Sequence, residues 1–344
     1  MIEARVDGLN REPPSVDQLQ NWSPSRGLLW LNATPADSAD VEYLSAGLRL
    51  HTLVVEDIHN RNQRPKVDDY DAYLFVVLFG AIRDSAGQLA LAEVHIVLGD
   101  GWLVTISDTA IPALRQLAGA CEKRPEIAGA SAPMLFHRIC DALVDSIFPI
   151  LDEIDDEIER VENNIVARAD EQTVRDIFRL KRDLTVLRRV LGPERDLLQL
   201  LAGPRTHRLD AEAQLYLRDV YDHAVRMVEQ VDSYRDIITG ALDVYLSSVS
   251  NRLGEQTRRL TLIATIFLPL TFLTGFFGMN FAVLVSAIST PRAFAVGLVA
   301  MVVSVCVVVI VSQRLTARVT PIPESTATTR RFSMRTPPRR KDAD

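Results

Sequence analysis

Hydrophobic and polar positions follow two different patterns along this chain. Up to about residue 130, short apolar runs rich in β-branched and aromatic residues lie between turn-forming residues, which is typical of strands. The runs that predict strands are 27–33, 73–82, 91–99 and 102–107, and those that predict helices are 39–48 and 110–124. The sequence therefore predicts an α/β domain over residues 1–130, with helices covering the strands.

Beyond about residue 133, apolar residues recur at helical spacing and the strand pattern ends. One amphipathic helix is predicted over 135–167, with acidic residues on its polar face, and a second over 173–203. We expect the second to end near Gly192–Pro193 and restart, because proline lacks the amide hydrogen that a helix interior needs. Residues 131–203 thus form a predicted acidic helical hairpin region.

The third helical pattern is much longer. No proline occurs between Pro204 and Pro269, and the pattern runs from about Ala211, through a predicted stalk over 204–259, into an apolar segment. About 60 to 70 helical residues would form a rod of roughly 100 Å. Such a helix cannot cover its apolar side alone, so the sequence predicts a bundle, and an oligomer whose rods line an axis.

Two segments carry no charged residue, Leu260–Pro291 and Ala293–Ser312, and only Arg292 separates them. About 20 apolar residues suffice to cross a hydrocarbon core of roughly 30 Å. The predicted membrane helices are 260–281 and 293–313, joined by a short external loop over 282–292.

Basic residues flank both membrane segments. Arg258 and Arg259 precede the first, and Arg314 and Arg318 follow the second. By the positive-inside rule, both termini are predicted to be cytoplasmic, in a multi-pass protein of the inner (plasma) membrane. The polar N-terminus lacks the pattern of a signal peptide.

Charge is divided unevenly. Residues 314–344 hold eight basic and three acidic residues, whereas residues 1–313 hold 30 basic and 42 acidic ones. The tail, 314–344, is predicted to be disordered and to lie against anionic lipid headgroups. The acidic body suits divalent cations, although acidity alone more often serves solubility.

Small or weakly polar residues form a stripe along the first membrane segment. The stripe consists of Thr257, Ala264, Leu268, Thr271 and Gly275. Such residues allow membrane helices to pack closely, and they equally suit the lining of a narrow axial pore. Spacing alone leaves both interpretations open, close helix packing and a pore lining. Pro269 predicts a kink or a local backbone irregularity in this segment.

No enzyme motif accompanies these segments. The chain contains no GxxxxGK[ST] loop, no HExxH helix and no GxSxG elbow. Its six histidines and three cysteines show no ligand spacing. We expect no enzymatic activity, no organic cofactor and no nucleic-acid partner.

The tripeptide Gly278-Met279-Asn280, at the end of the first membrane segment, resembles the hallmark of the CorA family of magnesium transporters. The resemblance extends over about residues 40–315. Further stretches that resemble the family are 54–78, 141–159, 180–189, 216–223, 234–252 and 260–281.

The resemblance implies a CorA-like funnel: an α/β cytoplasmic domain, a long helical stalk and two C-terminal transmembrane helices, assembled as a homopentamer. It implies that Asn280, with Gly278 and Met279, forms the selectivity filter at the outer mouth. It also implies that the first membrane helix lines the pore. The implied pore-lining positions are Thr257, Leu260, Ala264, Leu268, Thr271 and Gly275.

The implied cargo is Mg²⁺, with Co²⁺ and Ni²⁺ as further candidates, driven by the membrane potential. Mg²⁺ releases its water reluctantly. A ring of amide carbonyls from Asn280 would accept hydrogen bonds from that water shell, so that a hydrated ion is selected and still escapes.

The resemblance also implies gating by intracellular Mg²⁺. Asp219 matches an acidic residue that binds regulatory Mg²⁺ between subunits, and Asp222 and His223 lie within a turn of it. We predict Asp84, from the N-terminal domain of a neighbouring subunit, as the second half of the site. A solvated helix acid is the alternative for Asp219.

Three features depart from the family pattern. The loop after the motif reads AVLVSAISTPRAF, with one arginine and without the acidic residue that many relatives carry. Gly254 and Thr257 stand where relatives often have a polar amide and a bulky apolar gate residue. The lower pore is therefore expected to be wider or wetter, with Leu260 and Leu268 as candidates for the gate.

Two other functions stay open. The ZntB branch of the same superfamily moves Zn²⁺ coupled to protons, and Met279 argues against it because that branch usually departs from the motif at the middle residue. A membrane-anchored scaffold or sensor that conducts nothing would also suit the acidic helices and the basic tail.

Overall fold

The computed structural model describes residues 2–60, 62–83, 89–129, 131–167, 170–204, 206–279 and 291–317. Two compact units make up the chain, Met1–Val249 and Ser250–Asp344.

A seven-stranded sheet forms the centre of the first unit. The strands are β1 (Ile2–Val6), β2 (Leu9–Arg11), β3 (Leu29–Ala33), β4 (Lys66–Tyr70), β5 (Tyr73–Arg83), β6 (Leu89–Gly99) and β7 (Trp102–Ile106). Their order is β2-β1-β3-β7-β6-β5-β4, with β3 and β7 parallel and the other neighbours antiparallel. All four predicted strands are confirmed. The strands that the pattern missed, β1, β2 and β4, are short, and β2 and β4 are polar strands at the two sheet edges.

Helices cover both faces of the sheet, as predicted. The helices of this unit begin with α1 (Val16–Gln20), α2 (Ser38–Leu48), α3 (Thr52–Asn60), α4 (Pro112–Lys123) and α5 (Ala132–Asp145). Alternate residues of β5 divide between two cores, because successive strand side chains point to opposite faces. Phe75 and Val77 pack with α1 to α3, whereas Leu74 and Val76 pack with α4 and α5.

The helical region continues with α6 (Phe148–Ala167) and α7 (Glu171–Leu201). The prediction of a single helix over 135–167 is wrong, because a turn at Ser146–Ile147 separates α5 from α6. Pro149, the second residue of α6, has no amide hydrogen to donate back to the last turn of α5, so a new helix starts there. The amide of Ser146 closes α5 on the carbonyl of Ala142, at 3.2 Å.

The predicted break at Gly192–Pro193 is also wrong, because α7 passes through both residues. Buried side chains lie on each side of the proline, including Leu191 and Leu197. Burial of a leucine side chain contributes about 1.5–3 kcal/mol, so several of them together exceed the roughly 3 kcal/mol that an interior proline costs. Tertiary packing therefore overrides the local signal.

The long third helix is confirmed as α8 (Ala211–Phe277), 67 residues that continue through Pro269. Its first half buries residues such as Val220 and Val231 in the first unit. In the second unit, α8 is followed by α9 (Pro291–Ala317). By length and composition, α8 and α9 are the two helices in the described part of the chain that are apolar enough to cross a membrane.

Candidate functional site

Helix α8 ends at Phe277, directly before the first residue of the predicted filter, Gly278. The amide of Gly278 donates to the carbonyl of Thr274 at 2.9 Å, and the amide of Met279 donates to the carbonyl of Phe276 at 3.3 Å. A Cβ atom at Gly278 would lie 2.9 Å from the Thr274 oxygen, closer than real Cβ atoms approach. The tight helix exit therefore requires glycine at this position.

Of the other two filter residues, only Met279 is among the described residues. Met279 is 40% exposed. Asn280 lies outside the described residues. Its role in the filter stays a prediction.

The predicted pore-lining residues, which are the stripe and Leu260, are exposed in one chain. Leu260 and Leu268 are 68% and 76% exposed. A Cβ atom added at Gly275 would meet nothing within 4 Å. These side chains share one face of α8, because steps of three, four and seven residues return to the same side of a helix.

Threonine hydroxyls give this stripe its polarity. The Thr257 hydroxyl donates to the carbonyl of Leu253 at 2.9 Å, and the Thr271 hydroxyl donates to the carbonyl of Phe267 at 2.8 Å. A hydroxyl whose proton is used in this way presents its oxygen lone pairs outward. The stripe thus offers hydrogen-bond acceptors, which suits the water shell of a cation.

A second group of polar side chains lies in the first unit, and we call it the acid–histidine cluster: Asp141, Asp145, Asp219 and His223. One ligand atom each from Asp141, Asp145 and His223 lies within 4.8 Å of the others. His223 Nδ1 is 3.1 Å from Asp145 Oδ1, and His223 Nε2 is 3.7 Å from Asp219 Oδ2.

Helical spacing explains why these groups meet. Asp141 and Asp145 lie four residues apart on α5, and Asp219 and His223 lie four residues apart on α8, so each pair stacks on one face. A ring contact between His137 and Tyr216, with centroids 5.1 Å apart, joins the two helices.

Within the cluster, Asp141 and His223 are half-buried, whereas Asp145 and Asp219 are exposed. Burial raises the pKa of Asp141, and the neighbouring Asp145 raises it further. A carboxylate whose charge is disfavoured in this way is stabilised when a cation enters. His137 lies beside the cluster. Burial lowers the pKa of His137 to about 4, so this imidazole is neutral at physiological pH.

The donor set fits a hydrated divalent cation. Mg²⁺ prefers carboxylate and water oxygens, and an imidazole nitrogen accepts a hydrogen bond from such a water or binds Co²⁺, Ni²⁺ or Zn²⁺ directly. Phe148 packs edge-on against the ring of His223, at 5.8 Å between centroids, and holds its orientation.

Of the predicted regulatory residues, Asp219 belongs to the cluster, through its 3.7 Å approach to His223. Asp222 is exposed and lies outside the group of ligand atoms, and Asp84 lies outside the described residues. The roles of Asp222 and Asp84 stay predictions. Sequence reasoning overlooked Asp141 and Asp145, although their spacing of four residues just before the acidic helix α6 was the available signal.

Comparisons with known proteins agree with this architecture. The family described as CorA-like Mg²⁺ transporter protein matches residues 25–314. A cobalt/magnesium transport protein CorA of Thermotoga maritima is 38% identical over 258 residues, covering 73% of this chain and 73% of that protein. The zinc transport protein ZntB of Klebsiella pneumoniae is 25% identical over 257 residues, covering 73% of this chain and 76% of that protein.

Among solved structures, the complete CorA magnesium transporter from Methanocaldococcus jannaschii resembles this chain with a TM-score of 0.78. The sequences are 20% identical, and the match covers 90% of this chain and 96% of that one. This likeness confirms the predicted fold class.

Proposed function

We propose, since this chain belongs to the CorA-like Mg²⁺ transporter family, that it conducts Mg²⁺ across the cell membrane and is not an enzyme. The observation that carries the proposal is the continuity of α8. One unbroken helix bears Asp219 and His223 in its first half and ends at Phe277, directly before Gly278. A cation bound beside Asp219 and His223 can thus bias the packing of the same helix that leads to the predicted filter.

The conducting path requires several copies of α8. Five copies in a homopentamer would place the stripe, together with Leu260, around one axis. The pore-lining residues would then be Thr257, Leu260, Ala264, Leu268, Thr271 and Gly275. Because the exposed stripe is partly apolar, association of copies also removes apolar surface from contact with lipid or water. The threonine oxygens then accept hydrogen bonds from the water of the passing ion.

Selection takes place at the ring formed by Asn280, with Gly278 and Met279 shaping the helix exit. Amide oxygens bind the ion's water shell without stripping it, so a hydrated Mg²⁺ ion is recognised by size and still released. The membrane potential supplies roughly 2.3 kcal/mol per charge per 100 mV, and thus about twice that for a divalent ion. Co²⁺ and Ni²⁺ are further candidate cargoes.

Gating follows from the acid–histidine cluster. Mg²⁺ at Asp219, completed by a neighbouring subunit through Asp84 and by the nearby Asp222, would join two copies and favour a closed state. Loss of intracellular Mg²⁺ removes that link, so the ligand shifts a two-state equilibrium through its preference for one state. This arrangement requires both termini to be cytoplasmic, in the inner membrane.

Flux of Mg²⁺ into liposomes that contain the purified full-length protein tests the proposal. With an inside-negative potential, the unsubstituted protein should take up Mg²⁺, and Asn280→Ala should lose uptake while keeping the oligomer intact. Asn251→Ala, a matched change at an exposed position of α8 away from the stripe, should keep uptake. Uptake that survives Asn280→Ala would contradict the proposed filter.

Proton-coupled Zn²⁺ transport is a second candidate. The match to ZntB and the imidazole of His223 among the cluster ligands favour it. The same liposomes, assayed for Zn²⁺ with and without a pH gradient, separate the two. Zn²⁺ uptake that needs the gradient, without Mg²⁺ flux, would replace the leading proposal.

A scaffold or sensor that conducts nothing is the third candidate. It predicts no flux of either ion in any variant, and it predicts indifference to Asn280→Ala. Measuring oligomeric state together with flux keeps this outcome distinct from a protein that failed to assemble.

A further inference from the structure

A cleft of about 630 Å³ opens at the side of the sheet in the first unit. The loop 62–65 before β4, the adjoining parts of β5 and β6, and the middle of α7 line it. None of the four residues of the acid–histidine cluster does so. Its volume is typical of small-molecule sites, which span roughly 300–1,000 Å³.

Two guanidinium groups line this cleft. Arg64 comes from the loop and Arg189 from α7. Both are exposed, and neither forms an ion pair with any residue that the structure describes. A guanidinium presents a planar fork of donors that matches phosphate oxygens, and two of them from different elements can hold one such group from two directions.

A buried carboxylate fixes the loop that carries Arg64. Glu93 on β6, only 11% exposed, accepts a hydrogen bond from the backbone amide of Gln63 at 3.1 Å. Its other oxygen lies 2.6 Å from Nε2 of the buried His95. Both oxygens of Glu93 therefore have partners within the wall of the cleft, and neither pairs with Arg64.

A buried carboxyl group fixes α7 against the sheet. Glu194, 1% exposed, accepts a hydrogen bond from the backbone amide of Phe79 at 3.2 Å. Phe79 and Val190 line the cleft, and Val190 lies one turn before Glu194 on α7. Arg189 is thus carried by a backbone segment that is fixed to the sheet before any ligand arrives.

The remaining lining is partly apolar. Ile82, Leu91 and Val190 form an apolar side of the cleft. Asp108 also lines it and is engaged in an interaction of its own. A ligand suited to this cleft has an anionic group for the arginines and a less polar body for the apolar side.

We propose that this cleft binds an organic phosphate, with Arg64 and Arg189 holding the phosphate and the apolar side receiving the rest of the molecule. The phosphate can belong to a soluble metabolite such as a nucleotide or to a lipid headgroup. The chemistry recognised at the arginines is the same, so the source is a matter for experiment.

Isothermal titration of the purified full-length protein in a buffer with EDTA, free of divalent cations, tests the proposal. The probes are ADP, inorganic phosphate and dihexanoyl phosphatidylglycerol. ADP should bind more tightly than inorganic phosphate, because only ADP reaches the apolar side. Arg64→Gln and Arg189→Gln should each weaken that binding about tenfold or more, since a hydrogen-bonded ion pair is lost.

Matched variants make the result specific. Arg182→Gln removes one exposed charge from the same helix without touching the cleft, and it should bind ADP as the unsubstituted protein does. Arg64→Lys and Arg189→Lys keep the charge and remove the fork, so they should weaken binding less than the glutamine variants. An unchanged thermal unfolding midpoint in each variant excludes loss of folding.

Each outcome decides the proposal. Binding of the short-chain lipid in place of ADP, with the same dependence on Arg64 and Arg189, supports the phosphate site and assigns its source to the membrane. Absence of binding by every probe overturns the proposal. So does an affinity that is unchanged in both Arg64→Gln and Arg189→Gln, or one that falls as much in the control Arg182→Gln as in those two variants. Equal affinity for ADP and inorganic phosphate overturns the organic part of it.

Discussion

The acid–histidine cluster and the stripe on α8 are two regions that we propose to bind cations, and they have opposite structural origins. In the cluster, packing of α5 against α8 within one chain brings Asp141, Asp145 and His223 within 4.8 Å of one another. Along the stripe, one chain leaves Leu268 76% exposed. The first region is largely assembled in each copy, whereas the second acquires a function only when copies associate. Binding measurements therefore probe the cluster, and flux measurements probe the stripe.

The largest effect is expected at the helix exit. Gly278→Ala places a Cβ atom 2.9 Å from the Thr274 oxygen, so the backbone must shift where the filter begins. We expect Mg²⁺ flux in liposomes to fall at least about tenfold, the change that ~1.4 kcal/mol in a barrier produces. Gly297→Ala in α9, where an added Cβ meets nothing within 4 Å, is the control and should keep flux.

Next in size is the loss of a cluster carboxylate. Asp145→Asn keeps the shape of the side chain and removes the charge beside His223. The Mg²⁺ concentration that gives half-maximal thermal stabilisation should rise about tenfold, equivalent to ~1.4 kcal/mol of binding. Asp243→Asn, at an exposed position of the same long helix, is the control. Equal shifts in both variants would mean that Mg²⁺ responds to overall charge rather than to the cluster.

A smaller effect is expected along the stripe. Thr271→Val removes a hydroxyl oxygen that we place in the pore, and flux should fall about threefold, as for the loss of ~0.5–1 kcal/mol of hydrogen bonding. Thr265→Val is matched, because the Thr265 hydroxyl makes the same kind of bond to its own helix, to the carbonyl of Thr261 at 2.7 Å, but lies off the stripe. If both variants conduct alike, the face assignment is wrong.

The smallest effect on transport is expected for Glu194, which is buried in the first unit and belongs to neither the acid–histidine cluster nor the stripe. Burial raises the pKa of Glu194 from 4.5 to about 8, so the native state keeps a proton that the unfolded chain releases near pH 4.5. The resulting stability is full below pH 4.5 and is lost as pH rises towards 8. Glu194→Gln stays neutral and lacks this dependence.

The unfolding midpoint of the unsubstituted protein, relative to Glu194→Gln, should therefore fall between pH 6 and pH 8 by about 5–9 °C. A pKa of about 8 in the native state against 4.5 in the unfolded chain lowers the free energy of unfolding by roughly 2.3 kcal/mol over this range, and 1 kcal/mol corresponds to roughly 2–4 °C at this size. Flux at pH 7 should be the same in both. A constant difference in midpoint across this range would show that Glu194 is ionised in the native state.

Sequence patterns predicted the long elements well and the short ones poorly. The four strands with strong apolar character and the uninterrupted helix α8 were readable, because many residues agree on one period. The edge strands β2 and β4 carry too few apolar residues to give a period. At Pro193, local chemistry predicted a break that the surrounding buried leucines of α7 overrode.

The candidate sites divide in the same way. Adjacent residues, such as Gly278-Met279-Asn280, were identified from the sequence alone, as was the stripe, which is set by helical spacing within one segment. Asp145 and His223 are 78 positions apart, and no periodicity relates them. Only the packing of α5 on α8 places Asp145 beside His223, 3.1 Å away.

The sequence by itself determined the two membrane segments, the unbroken α8 and the helix exit at Gly278, because hydropathy, helical period and chain order are local properties. The tertiary structure decided which acids form the acid–histidine cluster and which arginines share a cleft. Those groupings depend on the distances between elements that are remote in the chain, and only the packing of the cores fixes such distances.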